Sequence, residues 1–369
     1  MMRRTGSFLS VTVLVLALTA SAAAGSARSG TASRTDDLQA NAYQVHKLVA
    51  DVPGAAAHLD PNLVNAWGLA AGPTSPWWVA DNETDVSTLY DGTGAAIPLV
   101  VKVGGAPTGL VFNGSSDFVV SHDAASGPSL FLFSTEAGKI RGWNPTVGPT
   151  TLSMRSFIVA SRTFAEASYK GLAIGSGPGG GLLYATDFHN GKVDVFDGAF
   201  HRVLKGSFVD PDLPDGYGPF GIQAVGGRIF VTYAKQDADA GDEVAGDGLG
   251  FVDMFDMQGA FLGRVASRHA LNAPWGLAVA PADFGKFSGD LLVGNFGNGR
   301  INAYEPQPGG GFLHRGVLRG AHDNIIKVDG LWAIEFGNDA AAGPSDSLFF
   351  TAGPDDEEHG LFGRIDALT

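Results

Sequence analysis

The chain has 369 residues, no cysteine, a formal net charge of −14, and 44% hydrophobic against 17% charged residues. This is too apolar for a disordered chain, it excludes disulfide scaffolds, thiolate metal sites and cysteine nucleophiles, and its acidity argues against nucleic acid or anionic membranes as partners while suiting cations or sugars. Fifty-three glycines without a G-X-Y period call for many tight turns and favour an all-β fold.

In chain order, the first element is a processing signal. Arg3 and Arg4 precede the apolar run from Phe8 to Ala24, and small residues offer cleavage after Ala22, Ala24 or Ala27. The strongly apolar part, Phe8 to Leu18, is short for a membrane span. We expect residues 1–27 to be a signal peptide, residues 28–40 a flexible polar leader, and residues 41–369 one secreted, periplasmic or extracellular domain with no span remaining after cleavage.

The rest of the chain repeats. A Gly-aliphatic motif recurs at Trp67-Gly68-Leu69-Ala70, Thr108-Gly109-Leu110-Val111, Lys170-Gly171-Leu172-Ala173, Phe220-Gly221-Ile222-Gln223 and Trp275-Gly276-Leu277-Ala278, with a weaker sixth copy at Gly330-Leu331-Trp332-Ala333. Most copies are followed by an apolar run ending in a polar residue, such as 77–82 and 291–296, then by a turn and a second run ending in an acid. Each unit reads as four short strands, a to d, and a period of 40–60 residues with four strands predicts propeller blades. Strand d is expected at 99–103, 157–161, 206–210 and 262–266. The sixth unit ends after strand c. The run 43–51 has the pattern of a d strand and is expected to close the ring beside the last blade, removing a free edge. The predicted fold is a six-bladed β-propeller of four-stranded antiparallel blades.

The phrases NAWGLA (65–70), SLFLFSTEAGKIRGWNP (129–145), LNAPWGLAVAP (271–281), LLVGNFGNGRINAY (291–304) and TAGPDDEEHGLFG (351–363) carry a family resemblance. The grammar resembles NHL-type propellers, and the chain is more closely similar to a family of uncharacterised exported bacterial proteins. That resemblance implies fold and export and brings no activity with it. A more distant likeness is to gluconolactonase-type propellers, which hold a divalent cation in the channel through a Glu, two Asn and an Asp; strand a of the first blade has no equivalent Glu.

Propeller ligands bind where the b–c and d–a loops converge on the channel mouth. The b–c side is expected to supply Asp81, Asn82, His122, Asp123, Asp187, His189 and Asn295. The d–a side supplies Asn65, Trp67, Tyr169, Lys170, Phe220 and Trp275. Trp67 and Trp275 suit sugar stacking or packing between blades. Asp81, Asp187 and Asn295 carry hard oxygen donors fit for Ca or Mg; the alternative is that each caps its own tight turn. Asp237, Asp239 and Asp242 open an acidic loop with a D-x-D start, although Gly241 stands where a calcium loop needs Asp or Asn. No catalytic residue is assigned. The expected function is a monomeric binding module for a small molecule, carbohydrate or protein, with a metal-dependent hydrolase of the lactonase kind as the alternative.

Overall fold

A computed structural model describes residues 40–177 and 179–368; the expected signal peptide and nearly all of the leader lie outside them. Six four-stranded antiparallel blades form a ring. Strands a to d of blade 1 are Ala66–Ala70, Trp77–Asp81, Val86–Tyr90 and Val101–Lys102; those of blade 2 are Pro107–Phe112, Phe131–Thr135, Lys139–Trp143 and Phe157–Ser161. Blade 3 comprises Tyr169–Gly177, Gly180–Asp187, Lys192–Asp197 and Arg202–Val203; blade 4 comprises Tyr217–Val225, Arg228–Lys235, Phe251–Asp256 and Phe261–Ser267. Blade 5 has Pro274–Val279, Leu291–Asn295, Ile301–Pro306 and Phe312–Val317, and blade 6 has Leu331–Phe336, Leu348–Ala352 and Leu361–Ala367.

The N-terminal strand Tyr43–Ala50 completes blade 6. It pairs antiparallel with Leu361–Ala367 from Tyr43↔Ala367 to Ala50↔Leu361, and His58–Leu59 adds a short parallel strand outside it. The Tyr43 hydroxyl donates to the Phe284 carbonyl of blade 5 at 3.0 Å, so the closing strand is tied to its neighbouring blade as well.

Burial explains why each segment takes its place. The b strands of blades 1, 2, 5 and 6 are buried at every position, and their near-continuous apolar runs suit strands covered on both faces. The d strands Phe157–Ser161, Phe261–Ser267 and Phe312–Val317 lie at the rim and are largely exposed or half-buried. Neighbouring a strands touch all the way round, the sixth against the first. The repeat glycine permits that approach: a Cβ on Gly68 would collide with the Thr108 carbonyl, and one on Gly221 with the Trp275 carbonyl.

Three details of the sequence reading change. In blade 6 the equivalent of the repeat glycine is Ala333, not Gly330: its N–H donates to Thr351 Oγ1 just as that of Gly221 donates to Thr232 Oγ1. The d strand of blade 3 is Arg202–Val203; residues 206–210 form no strand. Blade 2 carries an extra hairpin, Val119–His122 with Ala125–Pro128, between its a and b strands, so its b strand begins at Phe131.

With this register the six a strands present equivalent residues. One position forms a ring of aliphatic side chains about the axis: Leu69, Leu110, Leu172, Ile222, Leu277 and Ile334, each only 4–6% exposed. Two positions earlier stand Trp67, Thr108, Lys170, Phe220, Trp275 and Trp332, at the end of the channel facing the b–c and d–a loops.

Candidate functional site

The loop-side end of the channel is floored by aromatic rings. Trp67 and Trp332 stack at 3.6 Å between centroids, Phe296 stacks on the other face of Trp332 at 4.1 Å, and Phe220 and Trp275 meet Trp332 edge-on at 5.7 and 6.0 Å. Trp67 and Trp332 are buried, whereas Trp275 and Phe296 keep part of their surface open. The Trp332 indole N–H donates to Asn65 Oδ1 at 2.8 Å, and that of Trp275 to the Lys170 carbonyl at 3.0 Å.

Into this apolar floor the chain inserts a charge. The Lys170 side chain is 1% exposed and its Nζ lies 5.3 Å from the Trp67 ring centre. An ammonium so placed needs partners, and loops of other blades supply them. Nζ donates to Glu136, on the b–c turn of blade 2, and at 2.9 Å to Asp242 Oδ1, on the long b–c loop of blade 4. Asn82 Nδ2 donates to Glu136 Oε2 at 3.2 Å, and Asn65 Nδ2 to Glu357 Oε2, from the b–c loop of blade 6, at 2.6 Å. Five of the six blades thereby contribute to one polar network.

Acid outnumbers base in this network. Burial works against the Lys170 charge, but Glu136, Glu243 and Asp242 outweigh it and hold the ammonium well above the ordinary lysine range. Lys170 is therefore a fixed cation and not a nucleophile or base at neutral pH. Burial pushes the Glu243 carboxyl up to about 8 despite the pull of Lys170, and Glu357 adds to the push. Burial also raises Glu357, opposed by its bond from Asn65 and by Lys170. The mouth is an array of carboxyl and amide groups around one ammonium, with the Glu243 carboxyl pushed up to about 8.

The structure brings Asn82, Trp67, Trp275 and Asp242 into this site. It places the other expected residues elsewhere or uses them in turns. Asp81 accepts from the Thr88 N–H at 2.9 Å, Asp187 holds Asn190 and, at 3.0 Å, Lys192, and Asn295 donates to the Ala270 carbonyl at 2.8 Å. Asp81 thus bonds to its own c strand, Asp187 to its own b–c turn and c strand, and Asn295 to the loop that enters blade 5 and, at 3.2 Å, to Asn298 of its own turn. Asp237 accepts from Gly241 within the acidic loop while Asp242 turns to Lys170, and Asp239 joins neither bond. No group of three or more His, Asp or Glu able to hold a metal occurs among the described residues. His122 and Asp123 sit on the extra hairpin of blade 2, where His122 stacks on Phe157 of the outer strand, and not on a b–c turn. His189 contacts the Ala240 carbonyl at 3.3 Å and so borders the long loop from its blade 3 side.

Sequence reasoning did not single out Glu136, took Glu243 only as one acid of the loop 237–248 and Glu357 only as part of the acidic run 354–359, and placed Lys170 only as one residue of the loop face. A signal for Glu136 existed. The b–c turns of blades 2, 3 and 5 share a Gly-Lys or Gly-Arg dipeptide, at 138–139, 191–192 and 299–300, whose glycine has φ between +63° and +67°. Matching those dipeptides places blade 2's turn at Glu136 and not at His122.

Fold and site define a six-bladed β-propeller with a charged network over an aromatic floor at one channel mouth. No known family model matches the chain. It is 32% identical over 338 residues to an uncharacterized protein of Acanthamoeba polyphaga mimivirus, across 88% of this chain and 80% of that one. A second uncharacterized protein of the same virus is 35% identical over 279 residues, 71% of each chain. The chain belongs to the family of these proteins. Among solved structures, a glucose dehydrogenase aligns with a TM-score of 0.52 at 11% identity over 88% of this chain and 100% of that one, and a streptogramin B lyase with 0.50 at 11% over 90% and 99%. At that identity they share the fold alone.

Proposed function

We propose that this protein is a binding module that takes a hydroxyl-rich, carbohydrate-like ligand on the b–c face over the Lys170 network. One observation carries the reading: a hydrogen-bonded network drawn from five blades sets the carboxyl groups of Glu136, Asp242 and Glu357 around one buried ammonium, so that charged acceptors outnumber charged donors. Sugar hydroxyls supply the missing donors, and the partly open faces of Trp275 and Phe296 offer apolar contact beside them. Export, as expected from residues 1–27, would place the module where polysaccharides are met. A lactonase-like metal site has less support, because Asp81, Asp187 and Asn295 each already hold a neighbouring protein group.

Affinity electrophoresis through gels containing a panel of soluble polysaccharides tests this. At least one should retard the protein, and Glu357→Gln should weaken that retardation roughly ten-fold with the melting temperature preserved, as should Asp242→Asn with the melting temperature lowered by a few degrees. A panel that never retards the wild-type protein, or variants retarded equally, would refute the proposal.

A further inference from the structure

The opposite end of the channel holds a second, chemically distinct feature. Below the aliphatic ring lies a narrow cavity of about 30 Å³, and beyond it a funnel of about 190 Å³ on the face of the a–b loops. Both are lined by Glu335 and Gln223, and Glu335 is the only ionisable group among the described residues that line them. The equivalent positions in the other four blades are Ala70, Val111, Ala173 and Ala278, so the strand geometry accepts small apolar residues here and does not require an acid.

Among the described residues most other buried aspartates are matched by bases, Arg264 with Asp253 and Asp210, Arg162 and Arg202 with Asp194, Arg315 with Asp290, and Lys192 with Asp187, while the buried Asp81 accepts from the Thr88 N–H. The Glu335 carboxyl has no hydrogen bond or ion pair among the described residues. Burial alone pushes it up to about 8. Glu335 is half-buried at the funnel wall, and a carboxyl set without a protein partner against apolar walls loses part of its hydration, which a ligand that brings a positive donor with an apolar body offsets.

We infer that this funnel binds a small alkylammonium: the ammonium donates to the Glu335 carboxylate and the Gln223 amide oxygen, and the alkyl chain lies against the aliphatic ring. The funnel opens on the face opposite the loop-side mouth, the narrow cavity between them reaching Trp275, and the inference does not rest on the carbohydrate reading. An incoming ammonium favours the ionised carboxyl, so binding at pH 7 releases a proton from Glu335 to the buffer.

The test is isothermal calorimetry with n-butylammonium, with n-butanol as the neutral match. The wild-type protein should bind the amine at millimolar concentration with a heat that changes between phosphate and Tris in the sense of proton release, and should not bind the alcohol comparably. Glu335→Gln, which keeps the shape, should weaken amine binding at least about ten-fold, while the mouth variant Asp242→Asn should leave it unchanged. Filling the funnel with Ala71→Phe should abolish it without altering the melting temperature of the unliganded protein by more than a few degrees. Equal binding of amine and alcohol, unaltered amine binding in Glu335→Gln, or no amine binding to the wild-type protein would overturn the inference.

Discussion

The two ends of the channel solve the burial of charge in opposite ways. At the loop side a buried lysine bonds carboxylates from two other blades and lies over Trp67, while Asn82 and Asn65 extend the network to Glu136 and Glu357. At the far side a single carboxyl, Glu335, faces aliphatic walls with no base in reach. The same six strands carry both ends, three residues apart along each strand. The difference therefore comes from the loops: b–c loops reach over one mouth and bring charge with them, while the a–b turns on the other face leave an open funnel. Compensation by loops makes the first end a rigid polar platform, and lack of compensation leaves the second end with affinity to spare for a cation.

The largest expected effect strikes both ends at once. Gly221→Ala drives a Cβ into the Trp275 carbonyl and should cost about 3 kcal/mol in urea unfolding, the overpacking penalty of a rigid interior. Ala333→Gly, at the blade 6 junction that already accommodates a methyl group, should cost only about 1 kcal/mol. If Gly221→Ala unfolds like the wild type, the close a-strand ring is not the frame both ends share.

Lys170→Met separates the ends. It leaves the mouth carboxyls without their cation and should cost about 2 kcal/mol at neutral pH, at the low side for a broken buried pair because Asp242 is exposed. The cost should grow between pH 7 and pH 9, as Glu243 loses its proton through about 8 and comes to depend on the ammonium. Comparison of melting temperatures across that range reads this directly; a constant difference would mean that Lys170 and Glu243 do not interact.

A smaller effect isolates the far end. Glu335 binds its proton more tightly folded than unfolded, so its contribution to stability is fully present below about 4.5 and is lost as pH rises through about 8. Glu335→Gln should flatten the fall in melting temperature between pH 5 and pH 9 and make the variant the more stable protein at pH 9. The smallest change is Trp275→Phe, which removes the indole bond to the Lys170 carbonyl and trims the half-exposed ring's edge contacts with Trp67 and Trp332, and should cost about 1 kcal/mol in the same unfolding assay.

The propeller could be read from the sequence because its determinants are local and repeated: the glycine ahead of each aliphatic pair, the apolar b strands and the unpaired run at 43–51 all carry their meaning within a few residues. Trp67, Trp275, Asn82 and Asp242 were legible for the same reason, standing at repeat positions or in an obvious loop. Glu136 was hidden by the extra hairpin of blade 2, which moves the b strand eight or more residues along and lets His122 mimic a turn residue. Glu357 lies in a run of acids that reads as a solvated turn, and only its bond from Asn65, 292 residues away in the chain, reveals that it faces the mouth. Lys170 gave the clearest missed hint, a charge where four of the other five blades place Trp or Phe. The lone state of Glu335 depends on what the other five blades do not supply at its level, which no local pattern encodes.

Titration of the glutamate side-chain carboxyls by carbon NMR, in the wild type and in Lys170→Met, tests the contrast between the ends most directly. The account predicts that Glu243 and Glu335 both titrate near about 8 in the wild type, and that loss of Lys170 moves Glu243 higher while leaving Glu335 where it was. A Glu335 carboxyl that titrates in the ordinary range near 4.5, or that shifts together with Glu243, would contradict it.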